Sequence, residues 1–279
     1  MIGTKYTFLL PAYKAKYFEE ALASIKNQTF MDFKVLVSDD CSPEDLRSIY
    51  DKTVGDDSRF EYRRNEVNIG GKSLVAHWNL LVDLCDTEFL IMASDDDVYE
   101  PTFLEEIDRL TVKYPDVNLF RGRAKNIGEN NDLLLKDLFY PEIMDQTHFF
   151  NVCFSNSFIS CEPNYCYRTN VLKTKGKYVD FPSAWFADDA THLVMAEKGC
   201  ASTTEIVFGF RKSDISISNT WSDAKDAAKK VEASLAFNTW IDNYYPCIHQ
   251  SEEKSLLEFA YGKCKVKIKR NVENNIQFC

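Results

Sequence analysis

Through residue 121 the chain alternates short apolar runs with amphipathic stretches whose apolar residues recur every three or four positions. Tyr6–Leu10, Phe33–Ser38, Phe60–Arg64, Glu88–Ala93 and Val117–Arg121 read as strands. Tyr17–Asn27 places Phe18, Ala21, Leu22 and Ile25 on one helical face, and Lys72–Cys85 and Pro101–Lys113 follow the same period. Ser42, followed by Pro43, predicts an N-cap with proline at the first helical position and a helix running to about Thr53. Strand–helix alternation with short links calls for a Rossmann-like α/β fold, a mostly parallel sheet flanked by helices. Ligands of such sheets bind beyond the carboxyl ends of the strands.

After residue 122 the rhythm breaks. GRAKNIGENND predicts a loop or hairpin, and residues 145–172 mix aromatics, Cys and Asn without a readable period. Thr191–Lys198 reads as a helix stopped by Gly199, Thr203–Phe210 as a strand, residues 223–245 as a long helix, and the final thirty residues as a second helix and a tail. The expected division is a main domain over 1–215 and a helical extension over 216–279.

Three acidic clusters interrupt this pattern. Asp39-Asp40 falls just past the second strand, Asp95-Asp96-Asp97 just past the fourth, and Asp188-Asp189 at the entry to a helix. Adjacent carboxylates repel one another and would destabilise a buried strand. At a strand end opening onto a crevice they suit a hard divalent cation. Each cluster alone is also readable as a helix cap, the triplet standing just before Pro101. Two clusters at equivalent strand ends are harder to explain that way.

Composition narrows the classes. The 279 residues are 45% hydrophobic and 27% charged, with a net charge of −10, which argues against a protein built to neutralise nucleic-acid phosphates. No apolar stretch approaches the roughly 20 residues that span a bilayer, and the N-terminus does not resemble a signal peptide. A cytoplasmic protein is expected. Nine cysteines include no CxxC pair and no clustered histidine, so zinc is not expected and the thiols read as reduced and mostly buried. Gly70-Gly71-Lys72-Ser73 lacks the leading glycine of a phosphate-binding P-loop. Lys263–Arg270 carries five basic residues and no acid. That run reads either as a solvated face or as a peripheral contact with the anionic inner face of a membrane.

The stretch LLPAYKAKYFEEALASIKNQTFMDFKVLVSDDCSPEDL closely resembles the opening of glycosyltransferase family 2, the GT-A nucleotide-sugar transferases, of the type that builds bacterial polysaccharides. The resemblance rests on Pro11, Tyr13, Ser24, Ile25, Gln28, Thr29, Phe33, Asp39, Asp40 and Ser42, continues through Asn68, Ile69, Gly70 and Asn79, and reaches Asp95–Asp97 and Pro101. Beyond residue 122 it rests on Asp188-Asp189 and the SISNT segment. It implies a nucleotide-sugar-binding half over 1–121 and an acceptor-side half over 122–215.

The resemblance also implies roles. Asp39 and Asp40 would bind the donor nucleoside, Asp40 accepting from the base, plausibly uracil, and the backbone at Pro11, Ala12 and Tyr13 would line its pocket. Asn68, Gly70 and Lys72 would stand near the donor. Asp95, Asp96 and Asp97 would contact the ribose and hold Mn2+ or Mg2+ at the diphosphate, mainly through Asp96. Ser94 stands where the family often has Asp, so the metal-binding register is open by one residue. Asp188 or Asp189 would deprotonate the acceptor hydroxyl, with Asp189 matching the motif and Asp188 expected as the N-cap. Arg211 or Lys212 would offset leaving-group charge, unless Arg211 is a surface residue, and His192 reads as packed. The implied activity is metal-dependent, inverting transfer from a nucleoside-diphosphate sugar, UDP-linked by preference, to a glycan or lipid-linked acceptor. Other readings are a non-catalytic nucleotide- or glycan-binding relative and a sugar nucleotidyltransferase; PAYKAKY lacks the glycine-rich loop the latter needs.

Overall fold

Alternation of side chains along the first strand, β1 (Tyr6–Ala12), sets two cores, one on each face of the sheet. Tyr6, Phe8 and Leu10 enter one cluster; Leu9 points into the other. The structure is a computed structural model that describes residues 4–155, 158–214, 224–248 and 254–276. The SISNT segment and the expected 215/216 boundary lie outside the described residues.

The remaining strands are β2 (Phe33–Asp39), β3 (Phe60–Arg64), β4 (Phe89–Met92), β5 (Val98–Tyr99), β6 (Leu119–Ile127), β7 (Leu133–Lys136), β8 (Ile143–Met144), β9 (Tyr165–Arg168) and β10 (Cys200–Arg211). They form one sheet in the order β3-β2-β1-β4-β9-β6-β10-β5, with β7 on β6 and β8 on β10. Strands β1 to β4 pair in parallel, as do β6 and β10, while β9 runs antiparallel between β4 and β6. Helices α1 (Phe18–Lys26), α2 (Leu46–Val54) and α4 (Phe103–Lys113) cover the face that takes Phe8. The opposite face is covered by α3 (Leu74–Leu84), α5 (Gln146–Cys153), α7 (Ala187–Met195), α8 (Ala224–Tyr244) and α9 (Lys254–Ile276), with α6 (Thr169–Thr174) following β9. This is the expected mostly parallel, doubly covered sheet.

Several local expectations shift. Ser42 does not cap α2; Asp45 does, accepting from the Ser48 amide at 3.1 Å. The Ser42 hydroxyl instead donates to the Tyr13 carbonyl at 2.6 Å. The stretch after residue 122 is a hairpin, β6 continuing to Ile127 and turning back into β7. The unassigned stretch 145–172 contains α5 and the interior strand β9, whose four buried or half-buried residues are too few for a period to show.

The basic run of the C-terminal tail lies on α9, and its side chains do not form one cationic face. Lys263 donates to the Asn151 carbonyl at 2.7 Å, Lys265 to Asp242 at 2.7 Å, and Lys267 faces Asp189 at 3.6 Å. Lys269 and Arg270 are exposed on the same helix.

Arg121 of β6 and Asp137, just after β7, form a buried ion pair. Arg121 also donates to the Ile159 carbonyl and stacks 3.9 Å from the Phe158 ring centroid, and Asp137 accepts from the Ile159 amide at 2.9 Å. Removing one partner strands the other charge in a dry site. Asp137→Ala should cost about 3–5 kcal/mol of unfolding free energy in denaturant titrations. The double variant Arg121→Met with Asp137→Leu should recover much of that loss.

Candidate active site

The four parallel strands end on one side of the sheet, and the first two acidic clusters sit there. Asp39, the last residue of β2, is fully buried: one oxygen accepts from the Ser42 amide at 2.8 Å, the other from the Tyr62 hydroxyl at 2.6 Å and from Arg64. Burial and then Asp39 push the Tyr62 phenol up, and the same carboxylate raises Arg64. Asp39, Ser42, Glu44, Arg47, Tyr62 and Arg64 border an open depression of about 330 Å3.

Asp40 is tied to the segment that follows β3. Its oxygens accept from Asn65 Nδ2 at 2.8 Å, the Ile69 amide at 2.9 Å and the Gly70 amide at 2.6 Å. A Cβ on Gly70 would stand 2.9 Å from the Asp40 carboxylate, so glycine is what permits this approach. His77 lies behind, its Nε2 2.9 Å from the Ser38 hydroxyl and its Nδ1 3.6 Å from Asp40. Burial pulls the imidazole down, with Asp40 opposing. Asp40 is thus the anchor of the Asn68–Gly70 loop, and Lys72, just beyond it, is exposed.

The triplet after β4 is held by the backbone of two other segments. Asp95 Oδ2 accepts from the amides of Tyr13 and Lys14, each at 2.8 Å, which joins the triplet to the loop after Pro11 and Ala12. Asp97 accepts from the Ser94 hydroxyl at 2.6 Å and from the Arg211 amide at 2.8 Å. Burial, followed by repulsion from Asp96, lifts Asp95 to about 6 and drives Asp97 well above the usual carboxylate range. Asp96 stands between two carboxyls that already turn inward.

Arg211 is neither a surface residue nor open to a diphosphate. Its fully buried guanidinium donates to the carbonyls of Asp96 at 2.7 Å and Gly128 at 3.2 Å and to Glu20 at 2.7 Å, and it stacks 4.4 Å from the Tyr17 ring centroid. It is a strut under the triplet. The neighbouring Lys212 is half-buried, its ammonium 4.4 Å from the Phe210 ring centroid; burial lowers it, while Cys161 and Asp97 oppose the shift.

Asp188 and Asp189 lie in the first turn of α7, whose N-cap is Phe186 with φ 70°. Asp188 is therefore not the cap; its carboxylate accepts from the Asp189 amide at 2.9 Å. Burial and then repulsion from Asp189 raise Asp188 to about 6. The Cys161 thiol is raised by burial, with Asp97 and Asp188 adding to the shift and Arg121 and Lys212 opposing it. His192 is packed, its ring 3.7 Å from that of Tyr165 and stacked on it. Asn65, His77, Tyr62 and Arg64 escaped sequence reading because no spacing marks them; only their place at the ends of β3 and on α3 brings them to the clusters.

Among the described residues no three Asp, Glu, His or Cys side chains converge as a complete metal cage. The crowded, raised carboxyls of the triplet nonetheless fit a divalent cation that takes one or two carboxylates and completes its shell with phosphate oxygens.

The parallel sheet carries two acidic clusters at its strand ends, the deeper one anchored to the β1–α1 backbone. The chain belongs to glycosyl transferase family 2, whose model matches residues 7–175. Over 94 residues, 33% of this chain and 30% of the relative, it is 32% identical to the GalNAc(5)-diNAcBac-PP-undecaprenol beta-1,3-glucosyltransferase of Campylobacter jejuni. The match thus spans under a third of that relative's length. In fold it is similar to S. aureus TarS 1–349, solved with UDP-GlcNAc, with a TM-score of 0.63 and 16% identity over 98% of this chain and 92% of that one. It is also similar to the mannosyltransferase PcManGT of Pyrobaculum calidifontis, solved with GDP-Man and Mn2+ (TM-score 0.60, 15% identity, 99% and 74% covered).

The raised Asp95 generates a prediction of defined sign. A carboxyl with a higher affinity for protons in the folded than in the unfolded state stabilises the fold below about pH 4 and loses that contribution as pH rises through about 6. Asp95→Asn should therefore raise the metal-free melting temperature at pH 7.5 and leave it little changed at pH 4, read by calorimetry at both pH values.

Proposed function

We propose that this protein transfers a sugar, with inversion, from a nucleoside-diphosphate sugar to the hydroxyl of a glycan or lipid-linked acceptor. The observation that carries the reading is the Asp95–Asp97 run, pinned at the end of β4 by the Tyr13 and Lys14 amides. Family membership supports the reaction class. The undecaprenol-linked substrate in the relative's name supports a polyprenol-linked acceptor, and UDP-GlcNAc on TarS makes UDP-sugars the first donors to test.

In this reading the nucleoside lies along Pro11–Tyr13 beside Asp39 and its Arg64 partner, and the diphosphate approaches Asp96. Mn2+ or Mg2+ held by Asp96, with Asp95 or Asp97 beside it, would supply Lewis-acid charge to the departing diphosphate. Lys212 adds fixed positive charge nearby. The acceptor oxygen forms a bond to the anomeric carbon while the bond from that carbon to the β-phosphate oxygen breaks, its electron pair leaving with the nucleoside diphosphate. Asp189 takes the hydroxyl proton as the attack proceeds, because a sugar hydroxyl is a poor nucleophile at neutral pH.

Release of nucleoside diphosphate from a panel of UDP-, dTDP- and GDP-sugars, with and without simple glycan acceptors, tests the activity. It should require Mn2+ or Mg2+, stop in EDTA, and be abolished in Asp96→Ala with weakened diphosphate binding. Full activity in verified metal-free protein would contradict the metal assignment. Asp189→Asn should lower turnover about 10²–10⁴-fold with donor affinity preserved. Asp188, raised to about 6, is the first of the pair to take a proton, so Asp188→Asn should retain turnover and leave the acid limb of the pH profile nearly in place. An inactive Asp188→Asn beside an active Asp189→Asn would exchange the two roles.

A further inference from the structure

The basic run on α9 is left unexplained by donor or acceptor binding, and its central member reaches the α7 pair. Lys267 Nζ stands 3.6 Å from Asp189 Oδ1, 4.9 Å from the Phe154 ring centroid and 5.9 Å from that of Phe186. We propose that Lys267 is a positioning residue that breaks the symmetry of the Asp188–Asp189 pair, holding Asp189 ionised and aimed while Asp188 accepts the first proton. This rests on the reading that the pair deprotonates the acceptor.

Two carboxyls one residue apart cannot both be charged cheaply, and a cation beside one of them decides which keeps the charge. The other groups facing the pair leave that decision to Lys267. On α5, Cys153 is a buried thiol pushed well above its usual range, and on α9 Cys264 is raised by burial as well, so both remain neutral. Lys263 is turned to the Asn151 carbonyl and Lys265 to Asp242 of α8. On Asp188, burial and then repulsion from Asp189 raise the carboxyl to about 6, with His192 opposing the shift and Glu162 adding to it. Burial pulls Lys267 down, Asp189 foremost opposes it, and the ammonium is held above its ordinary range. The aromatic rings of Phe154 and Phe186 add a favourable face for the cation. A helix from the C-terminal extension thereby completes a site whose acids come from α7.

The test compares wild type, Lys267→Met, Lys267→Arg, Asp188→Asn and Asp189→Asn as full chains. Carboxyl-carbon NMR of aspartate-labelled protein follows the Asp189 resonance, assigned by its loss in Asp189→Asn. In Lys267→Met its titration should move up by about one unit, and Lys267→Arg should restore it. The acid limb of nucleoside-diphosphate release, from UDP-GlcNAc or whichever sugar nucleotide the panel returns, should move up with it at unchanged donor KM. If Lys267→Met does not fold, Lys267→Gln carries the same comparison. An unmoved Asp189 titration overturns the inference. So does an unmoved acid limb while Asp189→Asn is inactive, a result that leaves the base assignment standing. Wild-type turnover in Asp189→Asn overturns the base assignment itself, whatever the titration shows.

Discussion

Holding three adjacent carboxylates at the end of a buried strand is the constraint that organises this molecule. Strand β4 is apolar and central, flanked by β1 and β9, and cannot tolerate charge within it. The charge is therefore placed at its exit, and each outer carboxyl is tied to a different segment. Asp95 takes the two amides after β1, and Asp97 takes Ser94 and the last residue of β10. Arg211 closes the arrangement from below, through the Asp96 carbonyl and Glu20 of α1. The β1–α1 loop, the triplet and the β6–β7 turn are fixed relative to one another by hydrogen bonds to buried charge, which are among the stronger ones available.

The same logic recurs at the other clusters. Asp40 converts buried negative charge into an anchor for a glycine-bearing loop, and Asp39 sets Tyr62 and Arg64 at the edge of the adjoining depression. At α7 the pair is compensated from outside the sheet, by a lysine of the C-terminal extension. Acidic residues at all three clusters thus serve as structural acceptors.

Much of this was legible in sequence. The strand–helix period located β1 to β4 and α1, α3 and α4 to within two residues, because each is long or apolar enough for its period to register. The triplet and Asp39-Asp40 stood out as charge at strand ends. What sequence hid was partnership. Nothing in FGFRKSD distinguishes Arg211, which turns inward, from Lys212, which stays half-buried; the strand's alternation decides that, and its register is fixed only in the sheet. Asp45 rather than Ser42 caps α2 because the Ser42 hydroxyl is already committed to Tyr13. The lysines of α9 looked like one basic strip because their partners, Asn151, Asp242 and Asp189, are distant in the chain.

The central claim is that the triplet and a nucleoside diphosphate share one divalent cation. Calorimetric titration of Mn2+ into the full chain, with and without saturating UDP, and of UDP with and without Mn2+, tests it most directly. A shared ion requires each ligand to raise the affinity of the other by the same factor. The account predicts a reciprocal factor of ten or more that collapses to one in Asp96→Ala. Independent binding of Mn2+ and UDP to the wild-type chain would contradict it.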